Sequence, residues 1–264
     1  MGLMFQHVIV PFDGTLEARA ELAPAADLAW RCGAKVVIVS TTGVEDEVVH
    51  FVLKSQAIAK SGSDIDFWID PELELGDAVL EATKFRADPI ICMASRYRGA
   101  GLVRKRHTAA PLPEAVLRHS MVPIVVIGPE MDLTRGLPLA ELVMPIDDSP
   151  ESVRSARLAA EMATALRIGV RFLVIVPPEV GDPRPPEAVR EIFDEIRARL
   201  PAISLEVIET ERPAAALVAI ADEQRDAVIL LPRTGGDERG PFDSFTAEVV
   251  ATSHLAVVLA PPGV

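Results

Sequence analysis

Two aspartates stand in matching places: Asp13 follows the apolar run HVIVPF, and Asp147 follows ELVMPI, each just ahead of a stretch with helical spacing. A carboxylate at that place commonly caps the helix that follows. Near the C-terminus, Gly235, Gly236, Ser244 and Thr246 lie in LPRTGGDERGPFDSFTAEVV, between a strand-like run and an apolar stretch. Glycines let a backbone approach an anion and turn N–H donors inward, and hydroxyls at a helix start complete such a site with the positive end of the helix. The same residues also make a plain turn and ordinary N-caps, so both uses stay open. Asp237, Glu238 and Asp243 would repel phosphate there, with Arg233 and Arg239 as the opposing charges. In the first half, Arg96, Arg98, Arg104, Lys105 and Arg106 cluster with no acid among them. Such a run is a solvated loop, or a place for a phosphate, an acidic metabolite or the acidic second half.

Other chemistries lack their residues. The five histidines fall in no motif, and the chain has no CxxC, HExxH, GxxxxGK[ST] or GxSxG, so neither a metal site nor a familiar nucleophile or phosphate loop is expected. Cys32 and Cys92 lie in apolar surroundings and are expected to be packed and reduced, in keeping with a cytoplasmic chain. The apolar runs are far shorter than the ~18–20 residues of a membrane span, and no basic start leads into an apolar stretch. The net charge of -13 disfavours nucleic acid, whose binding depends on Lys and Arg neutralising phosphates. The acidity is uneven: residues 1–130 carry 13 Lys/Arg and 17 Asp/Glu, the remainder 13 and 22, with no lysine at all in the second half.

The elements that must position these residues come twice. HVIVPFDGT reappears as ELVMPIDDS, RADPIICMA as RDAVILLP, and LRHSMVPIVVIGP as VATSHLAVVLAPP. The offsets are 134 at Asp13/Asp147, 138 at Asp88/Asp226 and 133 at Ser120/Ser253, a drift that loop insertions would produce. Two domains are expected, 1–130 and 138–264, with a junction around Pro129–Leu139. Within each, β-branched runs alternate with helical stretches as β-α-β-α-β-α-β-α-β. That order implies an open five-stranded parallel sheet with helices on both faces, and a ligand crevice beyond the strands' carboxyl ends. Helices are expected over Glu17–Cys32 and Glu151–Ile168, with Thr15 and Ser149 as N-caps, Pro150 in the first turn, and Gly33 and Gly169 as left-handed terminators.

These segments together resemble the universal stress protein family in its tandem two-domain form. The resemblance covers nearly the whole chain and rests on VPFDGT and MPIDDS at the first strand ends, on RADPII and RDAVIL, and on RHSMVPIVVIGP. It implies two tandem flavodoxin-like (adenine nucleotide hydrolase-like) domains that pair through their fifth strands as an intrachain pseudo-dimer, and a homo-oligomer built on it. One branch of the family binds ATP through G-x-x-G-x9-G-[ST] after strand four, with the strand-one aspartate on the adenosine. The other branch binds no nucleotide.

In the first half the family's glycines fall on Ala94, Tyr97 and His107. Thr108 meets the hydroxyl spacing counted forward, whereas Pro111 and Pro113 meet it counted back. In the second half Pro232 replaces the first glycine, Gly235 keeps the second, and Ser244 and Thr246 keep hydroxyls. The resemblance therefore implies degenerate adenine-nucleotide sites for ATP or AMP, with Mg, the second-half site being the better kept. Asp147, Gly235, Gly236, Ser244 and Thr246 would contact the nucleotide there, and Asp13 in the first half. Two functions stay open: a non-catalytic stress-response regulator with at most slow incidental ATP hydrolysis, and a nucleotide-free scaffold acting through a protein partner.

Overall fold

The computed structural model describes residues 4–13, 21–41, 64–95, 112–131, 137, 139–179, 184–224, 226–233 and 243–262. Among these residues, the first half comprises β1 (His7–Pro11), α1 (Leu22–Cys32), β2 (Lys35–Ser40), β3 (Ile65–Ile69), α2 (Leu75–Lys84), β4 (Pro89–Ala94), α3 (Leu112–His119) and β5 (Ile124–Ile127). The second half comprises β6 (Glu141–Pro145), α4 (Pro150–Leu166), β7 (Gly169–Val176), α5 (Glu187–Arg197), β8 (Ile203–Glu209), α6 (Pro213–Glu223), β9 (Ala227–Leu231), α7 (Ser244–Thr252) and β10 (Val257–Leu259). The second half thus shows the whole expected alternation. Residues 42–63, where the first half would carry its second helix, lie outside the described residues, as does Thr15.

The strands form one continuous sheet in the order β3-β2-β1-β4-β5-β10-β9-β6-β7-β8. Each half contributes the doubly wound order 3-2-1-4-5, and the halves meet where β5 and β10 pair antiparallel, Val126 opposite Val257 and Val125 opposite Val258. Within each half the ladders are parallel and keep the offsets of the sequence repeat. Val8 faces Val36 as Leu142 faces Val170, and Ile91 faces Ile124 as Ile229 faces Val257. The turn before the fifth strand is also duplicated: the Ser120 hydroxyl accepts from the Val122 N–H at 3.2 Å, and the Ser253 hydroxyl accepts from the Leu255 N–H at 3.0 Å.

The strands are apolar on both faces because helices cover both. Val8, Val10, Val36 and Ile38 pack toward α1, and with Leu142, Met144 and Phe172 they continue without a break to α4 and α5. Ile9, Val37 and Val39 turn the other way, into the layer closed by α2, α3, α6 and α7. The junction is part of this core. Leu137 and Leu139 are buried, the Leu137 N–H donates to Asp27 Oδ2 at 2.9 Å, and Arg31 Nη1 donates to the Leu139 carbonyl at 3.4 Å.

Helix ends follow the expectation in part. Gly33 ends α1 in the left-handed conformation, φ 64. At the end of α4, however, Arg167 takes that conformation, φ 58, and Gly169 already begins β7. The register of 134 puts Gly33 on Arg167, so matching the two glycines is a slip of two residues. Gly128 matters for space instead: a Cβ there would lie 2.7 Å from the Val250 carbonyl oxygen at the end of α7. Gly128→Ala should therefore force the seam between the halves apart and cost about 1–3 kcal/mol, read as a fall in denaturation midpoint. An unchanged midpoint would mean that this contact yields without strain.

Candidate functional site

The order of strands reverses between β6 and β9, and a doubly wound sheet opens its crevice there, beyond the carboxyl ends of the strands. A cleft of about 300 Å³ occupies this place in the second half. Its apolar wall comes from the ends of β6, β7 and β9 and from the start of α6: Pro145, Ile146, Leu173, Ile175, Leu231, Pro232 and Pro213, with Phe245 of α7. Its polar side consists of Asp147, Ser149, Ser152, Asp243 and Thr246. No basic side chain is among the described lining residues.

The polar side is bonded within itself. Asp147 Oδ1 accepts from the Ser149 N–H at 3.0 Å and the Ser149 hydroxyl at 2.6 Å. The Ser149 oxygen in turn accepts from the Ser152 N–H at 3.2 Å, as the N-cap of α4, and the Ser152 hydroxyl oxygen accepts from the Asp147 N–H at 3.0 Å. Pro150 sits in the first turn, where its missing N–H leaves no bond unmade. Across the cleft, Asp243 caps α7, its Oδ1 accepting from the Thr246 N–H at 2.7 Å. The two helices thus satisfy N–H donors with their own side chains, and both carboxylates add negative charge where the helix ends are positive.

Of the expected site residues, Asp147 and Thr246 meet in this cleft. Ser244 is exposed at the first position of α7 and does not line it. Gly235 and Gly236 lie outside the described residues. Asp13 holds the place of Asp147 two residues beyond β1 and is half-buried. The residues next in the chain (14–20) and those after β4 (96–111), with the basic run and Thr108, lie outside the described residues. Asp243, read in the sequence as an obstacle to phosphate, is also the cap of α7; the D-S-F-T spacing, with its acceptor three residues before Thr246, is the signal for it. Arg233, taken as a counter-charge for the loop, is turned away from the cleft: Nη1 donates to the Leu117 carbonyl at 3.2 Å and Nη2 to the Ser120 carbonyl.

The cysteines are packed, as expected. Burial pushes the Cys32 thiol up to about 11 against a smaller opposing effect of Arg31, and pushes the Cys92 thiol up as well. Among the described residues no helix is long and apolar enough to cross a membrane, and no three His, Cys, Asp or Glu side chains gather as a metal would need. The cap network has its own test. Ser149→Ala should cost about 0.5–2 kcal/mol, seen as a melting point lowered by a few degrees, whereas Ser244→Ala should leave it unchanged. Equal melting points for both variants would contradict the assigned caps.

No family model matches the chain, and no curated protein matches it by sequence. Solved structures do. A universal stress protein from Archaeoglobus fulgidus DSM 4304 superposes with a TM-score of 0.68 at 18% identity, covering 98% of each chain. A protein of unknown function from Pseudomonas aeruginosa PAO1 gives 0.60 at 15% identity, over 98% of this chain and 93% of the other. Over 98% of its length, then, this chain has the fold seen in a universal stress protein.

Proposed function

We infer that the protein is a non-catalytic stress-response regulator of the universal stress type, built of two units, 1–130 and 138–264, clasped through β5 and β10 as an intrachain pseudo-dimer. Its second-half cleft is a degenerate adenine-nucleotide site. One observation carries this reading: the cleft at the strand-order reversal brings Asp147 and Thr246 together against an apolar wall. The fit is uneven along a nucleotide. Pro145, Leu173, Ile175 and Phe245 offer the flat apolar contacts that a purine takes, and Asp147 offers an acceptor for a base or ribose donor. Phosphates fit worse, since the cap network occupies the N–H groups of Ser152 and Thr246, and Asp147 and Asp243 line the cleft with no cation among the described lining residues. A magnesium ion carried on the phosphates would lessen that repulsion. The adenosine part of ATP or AMP supplies most of the binding energy.

The same occupied donors favour a second reading, a nucleotide-free scaffold that acts through a protein partner. Mass spectrometry of natively purified protein and thermal shift with adenosine, AMP and MgATP separate the two. A ligand at 100 times its Kd adds about 2.7 kcal/mol of stability. The site reading expects adenosine to shift the melting point at least as much as MgATP. It also expects Asp147→Asn, which keeps an oxygen to accept from Ser149, to weaken binding about tenfold by removing the charged acceptor. No copurified nucleotide and no shift with any of the three would leave only the scaffold.

A further inference from the structure

Arg233 leaves β9 two residues past Leu231, and only 7% of it is exposed. Among the described residues its hydrogen-bond partners are the carbonyls of Leu117 and Ser120, which belong to the other half and lie at the C-terminal turn of α3. The last carbonyls of a helix have no intrahelical partner and carry its negative end, so a guanidinium fork both satisfies them and opposes their charge. Burial lowers the guanidinium's pKa to about 10, so it stays protonated at neutral pH.

The neighbours of Arg233 give this contact its interest. Pro232 is a wall of the second-half cleft, and its ring fixes the backbone from which Arg233 departs. In the repeat α3 stands where α7 stands, and Thr246 of α7 lines that cleft. Arg233 therefore runs from the wall of one cleft to the helix that holds the cleft-lining place in the other half. The matching residue in the first half, at the offset of 138 kept by β4 and β9, is Ser95. Its buried hydroxyl has no hydrogen-bond partner among the described residues. Among the described residues, the link runs from the second half to the first.

We propose that Arg233 passes the state of the second-half cleft to α3, so that a ligand held against Pro232 stiffens the C-terminal turn of that helix. The proposal rests on the ligand-binding reading of the cleft. It is tested on the full chain by hydrogen–deuterium exchange with saturating adenosine or MgATP. In the wild type, exchange over residues 116–122 should slow at least about threefold on binding. In Arg233→Met the probe should still bind with a Kd within about threefold, yet that segment should no longer respond. Protection confined to residues 145–152 and 243–250 in the wild type, or a response that survives in Arg233→Met, overturns the link and leaves the site reading standing. Should Arg233→Met not fold, Arg233→Lys, which keeps the charge and loses the fork, takes its place; a reduced response supports the link and an undiminished one overturns it. If the wild type binds neither probe, no segment changes, and the site reading and the link fall together.

Discussion

The antiparallel pairing of β5 with β10 sets the geometry of everything around it. Both strands are short and buried along their whole length. Left as edges, they would present unpaired backbone groups on an all-apolar strand, a template for association with other chains. Pairing removes both edges and lets the apolar layer beneath α1 run on to α4 and α5. It also turns the halves head to tail, so that the carboxyl ends of β1 and β6 point to opposite margins of the sheet. Five strand spacings, about 24 Å, separate those two strands. A small molecule at one strand-order reversal cannot touch the other, and whatever passes between them has to pass through protein.

Two further contacts at the seam differ in kind. At the end of α7 the backbone of Gly128 approaches so closely that no side chain fits. At the end of α3 the space is filled by a guanidinium that crosses from the other half. The duplicated serine turns at Ser120 and Ser253 leave the two helix ends alike. The difference arises in what each half brings up to them. A buried cation on carbonyl groups is specific in direction and costly to leave unpaired, which makes the Arg233 contact the less forgiving of the two.

Much of this was legible in the sequence because it is repeated. The offsets of 134, 138 and 133 recur in the strand registers, since a parallel ladder buried on both faces cannot slip by one residue without exchanging its faces. Ser149 and Pro150 at the start of α4 were legible from local chemistry alone. Gly169 misled because a glycine is sufficient for a left-handed terminator but not necessary, and Arg167 takes the conformation. Arg233 misled for a different reason. A cation next to an acidic glycine loop suggests local pairing, whereas its partners lie 116 and 113 residues away in the chain and are backbone carbonyls, which no residue pattern marks.

The caps bear most directly on the chemistry of the cleft. An N–H at the start of a helix can serve the helix's own cap or an incoming anion, and it cannot serve both at full strength. In this chain the Thr246 N–H goes to Asp243, and the Ser152 N–H goes to Ser149, which Asp147 holds in place. Counted back from β10, the resemblance places its third glycine on Asp243, and counted forward on Phe245; a glycine has no side-chain acceptor and no charge. In the first of these registers, aspartate in place of glycine does two things at once: it completes a helix cap and it brings a carboxylate to the side on which the nucleotide reading would put the phosphates. The apolar wall is untouched by that exchange, because Leu173, Ile175 and Leu231 belong to strands whose burial the sheet itself requires. On the nucleotide reading, anion affinity and purine contact would thus depend on separate parts of the structure, and one could be lost while the other is kept.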